Sequence, residues 1–466
     1  MTLLDNFEHL RKLSRTTPPR SFQERYDDLE RLEKALIKRK SEFARAISDD
    51  FGHRSKHETY AAEIFVSVNA IRYIKEHLRE WMEVEPREVH WAFTPGLAEV
   101  RPQPLGVVGI IGPWNYPLQL IAIPLAFAIA AGNRAMLKPS EITERTSQLT
   151  AELVRETFSP DVATVVLGDL SVAREFGSLP FDHLFFTGST RVGKEIMKAA
   201  AENLTPVTLE LGGKSPAILG QDASIGVSAK RIANGKLLNA GQTCIAPDYV
   251  LLHKDKRDAF VAAFIAEAAK LYPKFGPNPD YSSIVNEQHF DRLTSYVTDA
   301  RDRGAKIIEL NQAKEELPKS ARKFLPTLIL DAPEDSLVMK DEIFGPILPI
   351  QSVSSLEDAV QFVNDRPRPL ALYYFGHRQS DIQYVLDRTV SGGVAINETL
   401  LQIAQDDLPF GGVGPSGVGH YHGHEGFLTF SKLKPVFYQS RVNFTELFRP
   451  PYGKTINAGL RFFIGK

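Results

Sequence analysis

From Leu105 onward the chain alternates short apolar runs with helix-length segments, and this rhythm restricts its fold more than any other feature. Leu105–Ile111 is a strand-length run ending in Gly112-Pro113. A helical stretch at Leu118–Ala131 follows, then a run at Ala135–Leu137 and a helical segment at Ser147–Phe158. Further runs lie at Thr164–Leu167 and His183–Phe186. Strands that alternate with helices form a parallel sheet covered on both faces. Ligands of such sheets sit beyond the carboxyl ends of the strands, which directs attention to the loops after residues 111, 137 and 186. A second alternating region spans about 215–395. Ala217–Leu219, Tyr249–Leu252 and Leu370–Phe375 are its clearest strands, and a helix is predicted over 256–271.

The flanking segments have a different texture. Phe22, Tyr26, Leu29, Leu32, Leu36 and Phe43 recur at helical spacing and predict an amphipathic helix over 21–46, opened by a Ser21–Glu24 capping box. A second apolar-periodic segment covers 58–82. Val84–Pro104 then holds Pro86, Pro95, Pro102 and Pro104 and reads as an exposed ribbon or linker. From Leu408 the chain is rich in glycine, then aromatic, and does not continue the alternation.

Composition narrows the function classes. The 466 residues carry 55 Lys+Arg against 57 Asp+Glu, a formal charge of −2, which gives no sign of a nucleic-acid or anionic-membrane partner. Cys244 is the single cysteine, so no intrachain disulfide or polythiolate zinc site is possible. A lone thiol fits a reducing compartment, and the N-terminus lacks a basic region before an apolar core; a cytoplasmic protein is expected. Leu118–Ala131 falls short of the ~20 residues that cross a bilayer and contains Gln119 and Pro124, so it reads as a buried helix, not a membrane span.

Several residues could carry chemistry. Cys244 follows the small, polar Asn239-Ala-Gly-Gln-Thr. A free cysteine is often a buried small hydrophobe, but this context predicts an accessible thiol on a loop. Glu210 stands between Leu209 and Leu211, ahead of Gly212-Gly213. It could pair with nearby Lys214; partly desolvated, it would instead have the raised pKa of a general base. Asn115, between Pro113 and Pro117, is either a turn-forming residue or an amide donor for an oxyanion. Phe185-Phe-Thr-Gly-Ser-Thr-Arg-Val-Gly193 places Gly188 and Ser189 before a helix that begins near Arg191 or Val192, either a plain turn or a phosphate cradle. Lys138-Pro-Ser-Glu141 follows a strand and either starts a helix or grips a ribose. His420, His422 and His424 would share one face if extended; a polar decoration on a glycine-rich loop is the favoured reading over a metal site.

Taken together, the strings resemble the aldehyde dehydrogenase superfamily. They are Pro-Trp-Asn-Tyr-Pro at 113–117, Lys-Pro-Ser-Glu at 138–141, Phe-Thr-Gly-Ser-Thr at 186–190 and Leu-Glu-Leu-Gly-Gly-Lys-Ser-Pro at 209–216. Gly-Gln-Thr-Cys at 241–244, Glu-Ile-Phe-Gly-Pro at 342–346 and Leu-Pro-Phe-Gly-Gly-Val-Gly at 408–414 complete the set, in the family's order. The short N-terminal region and Tyr-His-Gly at 421–423 resemble its class 3 branch. Arg449-Pro-Pro-Tyr-Gly453 is similar to bacterial members that act on hydroxycinnamaldehydes such as coniferyl aldehyde.

The resemblance implies an α/β fold in three parts: an atypical Rossmann cofactor domain at 1–82 and 103–209, a catalytic α/β domain at 210–395, and a bridging, oligomerisation element at 83–102 and 396–445. Residues 446–466 form a tail. It implies NAD(P)-dependent oxidation of a small-molecule aldehyde to the acid through a cysteine thiohemiacetal and thioester. Cys244 would be the nucleophile, Glu210 the base for water, and Asn115 an oxyanion donor. Trp114, Lys138, Glu141, Gly188, Ser189, Glu342 and Phe344 would contact the cofactor, and no metal is involved. Glu141 favours NAD, with NADP possible. Class 3 relatives are homodimers, and the same chemistry on medium- or long-chain aliphatic aldehydes is the main alternative. A CoA-acylating enzyme, which must keep water from its thioester, does not suit Glu210, and a non-catalytic structural or binding relative is the rival from another class.

Overall fold

The first sheet is built from the runs that the sequence marks after Leu105. The computed structural model describes residues 2–443, 445 and 449–465; of the tail 446–466, residues 446–448 and 466 lie outside the described residues. From edge to edge the sheet runs Gly417–Val418, Val207–Glu210, His183–Thr187, Val107–Ile111, Arg134–Lys138 and Ala163–Val165. All neighbours are parallel except the short edge strand at 417–418. Val107–Ile111 and His183–Thr187 are buried along their whole length, as strands covered on both faces must be. The covering helix Gln119–Ala130 is buried at every residue, Pro124 included, and among the described residues no helix is long and apolar enough to cross a membrane.

The second sheet orders Lys306–Glu309, Thr327–Leu330, Ile347–Val353, Tyr249–His253, Pro216–Leu219, Ala371–Phe375 and Gly393–Ile396. Only its 306–309 edge is antiparallel. The strand order crosses over at 249–253 and 216–219, and the chain between these two, 220–248, carries the thiol loop toward the first sheet. One apolar cluster, containing Leu137, Phe185, Val250 and Tyr373, spans both halves, so the loops between them are held by a shared core.

The proline-rich ribbon forms a third sheet, Glu85–Arg87, Leu97–Pro104 and Ser431–Tyr438, with Leu97–Pro104 paired residue for residue to Ser431–Tyr438. Two N-terminal elements differ from the reading of the sequence. The 21–46 helix runs over Phe22–Phe51, opened by the Ser21–Glu24 box as predicted. The 58–82 helix is three pieces: Lys56–Thr59, a wide π-type turn at Tyr60–Phe65, and Val66–Trp81. Hydrophobic periodicity cannot reveal such a turn, because the apolar positions on either side keep helical spacing.

Candidate active site

Glu210 is the last residue of its strand, opposite Thr187 on one side and Gly417 on the other. Its carbonyl accepts from the Gly188 amide at 3.0 Å, so its backbone is fixed. The side chain is 2% exposed and neither carboxylate oxygen has a hydrogen-bond partner. Burial raises its pKa well above the usual carboxylate range. Lys214 does not neutralise it. That ammonium pairs with Asp248 and donates to the carbonyls of Val338 and Asp341. The lysine–carboxylate alternative for Glu210 is thereby corrected, because Asp248, buried beside the second sheet, takes the lysine instead.

Cys244 follows the helix Ile225–Leu237 and a tight turn in which Asn239 and Ala240 both take left-handed backbone, φ 50° each. The side chain is half-buried and packs on the shared core, less open than the sequence context suggested. Burial, and then the charges of Glu342 and Glu210, push the thiol up to about 12. The thiol thus feels the charge of both carboxylates.

Asn115 sits in the loop after the strand Val107–Ile111 and is 3% exposed. Its Nδ2 donates to the carbonyl of Gln242, two residues before Cys244, at 3.2 Å. Next to it, the Tyr116 hydroxyl and Thr243 Oγ1 lie 2.7 Å apart. The amide is therefore attached to the thiol loop itself. Trp114 stands edge-on to the Phe344 ring, centroids 5.3 Å apart, and Phe344 holds left-handed backbone at φ 50°. Burial pushes Glu342 up to about 7, against the pull of the Gly213 amide that donates to its carboxylate. Its Oε1 has no partner. A side chain at Gly212 would occupy the place of this carboxylate, which explains a glycine there.

The remaining predicted residues line the carboxyl edge of the first sheet. Lys138 is 1% exposed, donates from Nζ to the Pro139 carbonyl at 2.8 Å, and lies 3.9 Å from Glu141 Oε2. A cavity of about 330 Å³ opens here, lined by Ser140, Glu141, Glu144, Ser147, Gly168 and Asp169. Ser189 caps the helix Thr190–Ala201, which starts one or two residues earlier than predicted, and Gly188 precedes it. A helix N-terminus, a polar cavity and an unpartnered buried carboxylate oxygen fit the phosphate, ribose and nicotinamide ends of a dinucleotide.

The histidines at 420–424 do not share a face. His420 is exposed, His422 is buried with both ring nitrogens unpartnered, and His424 stacks on Trp81. Burial lowers His422 to about 4, so its imidazole is neutral. Among the described residues no group of three or more potential ligands could hold a metal ion. The site also contains residues that sequence reasoning passed over. Tyr116, Thr243 and Asn239 stood inside or beside the quoted strings. Arg54, in the loop after the helix Phe22–Phe51, and Glu58 and Glu63, in the helical pieces that follow it, reach the site from the N-terminal region and had no signal in the sequence.

A model of the aldehyde dehydrogenase family matches residues 10–436. A probable coniferyl aldehyde dehydrogenase of Pseudomonas aeruginosa is 51% identical over 428 residues, covering 92% of this chain and 89% of that protein. A coniferyl aldehyde dehydrogenase of Pseudomonas sp. strain HR199 is 48% identical over 453 residues, covering 97% and 94%. Among solved structures, the substrate-bound state of Staphylococcus aureus AldH superposes with a TM-score of 0.93 at 37% identity, covering 99% and 100%. Two largely parallel sheets that share a core and meet at a thiol loop define an α/β enzyme. The chain belongs to the aldehyde dehydrogenase family.

Proposed function

We propose that this enzyme oxidises a hydroxycinnamaldehyde of the coniferyl type to its acid, with Cys244 as nucleophile, Asn115 as oxyanion donor and Glu210 as base. An aldehyde gives up no hydride until a nucleophile makes its carbonyl carbon tetrahedral. The Cys244 sulfur supplies that bond, and the Asn115 side-chain amide and the Cys244 backbone N–H would take the oxyanion. A thiol pushed up to about 12 keeps its proton at neutral pH, so attack needs an acceptor. Glu210, unpartnered and with raised proton affinity, is in its ionised form that acceptor; it releases the thiol proton to solvent before it takes a second proton from the water that hydrolyses the thioester.

A bound nicotinamide would supply the hydride acceptor that the thiohemiacetal needs to become the thioester. Lys138 and Glu141 would hold its adenosine ribose, Gly188 and Ser189 its pyrophosphate, and Trp114, Glu342 and Phe344 its nicotinamide end. A 2′-phosphate would meet Glu141, Glu144 and Asp169 around one cavity, which favours NAD over NADP. The division into a cofactor domain at 1–82 and 103–209, a catalytic domain at 210–395 and a bridging element at 83–102 and 396–445 belongs to the same reading.

One observation carries the mechanism: a half-buried thiol whose proton affinity is raised in part by the charge of a buried carboxylate whose oxygens bond to nothing else. The substrate rests on the relatives named for coniferyl aldehyde. The test is nicotinamide reduction with coniferyl aldehyde and with decanal. Cys244→Ala is expected to abolish reduction, and Glu210→Gln, which lacks the acceptor, to slow both acyl-enzyme formation and sustained turnover. Turnover in Cys244→Ala overturns the mechanism; a strong preference for decanal overturns the substrate.

A further inference from the structure

A buried charge network outside the proposed catalytic groups joins the N-terminal helices to both halves of the oxyanion site. The Arg54 and Glu63 side chains are 0% exposed and paired at 2.9 Å. The same Arg54 Nη1 donates to the backbone carbonyl of Asn115 at 3.0 Å. The guanidinium lies between the rings of Tyr116 and Phe51, 4.7 and 5.3 Å from their centroids. Its Nε and Nη2 have no partner, so its one bonded nitrogen serves both Glu63 and Asn115. The second Glu63 oxygen accepts from the amides of Leu118 and Gln119, where the helix after Asn115 begins. Burying such a pair is costly, and removing one partner leaves an uncompensated charge. Apolar residues would fill this space at less cost, so the pair has some task beyond stability.

The second arm runs through Glu58. It accepts from the Asn239 amide at 3.1 Å and from Ser282 Oγ at 2.7 Å. Asn239 is the first left-handed residue of the thiol turn. Its Nδ2 bonds to two carbonyls, those of Asn115 and Gln242, at 3.2 Å each. Asn115 Nδ2 bonds to the same Gln242 carbonyl. An unbroken hydrogen-bonded path therefore leads from Arg54 to Asn115, to Asn239 and to the residue two before Cys244. The π-type turn at Tyr60–Phe65 makes this possible, since an i→i+5 turn alters the angle between Glu58 and Glu63 and lets one short segment brace both loops.

We propose that Arg54, held by Glu63, is a positioning residue that sets the Asn115 amide in register with the Cys244 backbone N–H; the inference rests on the oxyanion role given to Asn115 above. Arg54 touches no reacting atom. Its one hydrogen bond to the site goes to the carbonyl of Asn115, so its effect is separable from a general loss of structure.

The test is a double-mutant cycle on kcat with the full chain, using Arg54→Met, Asn115→Ala and the pair. Asn115→Ala is expected to lower kcat about 10²-fold, the cost of one oxyanion donor. Arg54→Met is expected to lower it about tenfold or more, the effect of a small misplacement, with KM for NAD unchanged. Once the Asn115 side chain is gone its register no longer matters, so the double variant is expected to match Asn115→Ala. Losses that multiply in full overturn the role of Arg54 while leaving Asn115 as oxyanion donor. An Asn115→Ala enzyme with wild-type kcat overturns the oxyanion reading and the positioning inference with it. Arg54→Lys keeps the charge beside Glu63 but is one atom shorter, and it guards against a misfolded Met variant. It is expected to retain part of kcat and to show the same non-additivity, and wild-type kcat in Arg54→Lys overturns the proposal.

Discussion

At the scale of single residues, the site is a set of groups kept in unfavourable protonation environments. Glu342 shows the consequence most directly. Its carboxyl is pushed up to about 7 from an ordinary 4.5, chiefly by burial. The native state therefore holds a proton that the unfolded chain has released, and stability falls as pH rises between those two values. The penalty is small below the unfolded pKa and complete above the folded one. Glu342→Gln cannot ionise and retains an oxygen for the Gly213 amide. It is expected to raise Tm at about pH 8 and to change it little at about pH 5, while KM for NAD rises. Thermal unfolding of both proteins at the two pH values checks this. An equal shift at both would mean that burial of the charge is not what Glu342 costs. The candidate groups themselves were largely legible in the sequence, because a thiol, an acid between leucines and an amide between prolines are unusual where they stand. Their second layer was not. Arg54 is 61 residues from Asn115, and Glu58 is 181 residues from Asn239. Nothing in periodicity or local chemistry links positions so far apart.

At the scale of elements, boundaries follow local rules and fail where tertiary contacts decide. The Ser21–Glu24 box and the apolar runs at 107–111, 183–187 and 371–375 behave as their patterns require. The strand Gly417–Val418 is different. It is two residues long, and it exists because it closes the edge of the first sheet beside Glu210. A Cβ at Gly417 would lie 2.6 Å from the Leu209 carbonyl and 2.8 Å from the Gly412 amide, both backbone atoms that cannot yield. The strand would lift away and take the Ser416 carbonyl from the Leu211 amide it accepts. Gly417→Ala is expected to destabilise by about 1–3 kcal/mol and to lower kcat through the displaced Glu210. Gly226 is the contrasting case, helical, exposed and with open space around its Cβ position. Gly226→Ala is expected to stabilise by about 1 kcal/mol and to leave kcat unchanged. Denaturant unfolding of the pair measures both signs. A neutral Gly417→Ala would show that this edge does not constrain the acid.

At the scale of the whole molecule, the ribbon is the part that one chain leaves unexplained. The two parallel sheets are covered by helices, but the third sheet projects apolar groups into solvent. Leu97 is 68% exposed, Phe437 51% and Tyr438 44%. Ser431–Tyr438 pairs with Leu97–Pro104 along one edge and with no other strand among the described residues along its other edge. Open edges of this kind attract another strand. Lys432, Lys434 and Pro435 on the same strand are the residues by which a sheet edge discourages indiscriminate pairing, so the edge is suited to one particular partner. A second copy offers a matching apolar face and a sheet to extend, and a two-fold arrangement would cover both ribbons at once. The solution mass is therefore expected to be twice the 52.0 kDa of one chain. Leu97→Glu combined with Phe437→Glu puts charge into that contact and is expected to yield monomer. Light scattering on the separated protein reads the mass directly. A wild-type protein of single-chain mass at micromolar concentration would mean that the ribbon serves some other partner. If the double variant becomes monomeric yet keeps its kcat, assembly and chemistry are independent. If kcat falls with dissociation, the ribbon also steadies the chain segments on either side of it, 105–115 and 410–430, which lead directly to Asn115 and to the edge strand beside Glu210.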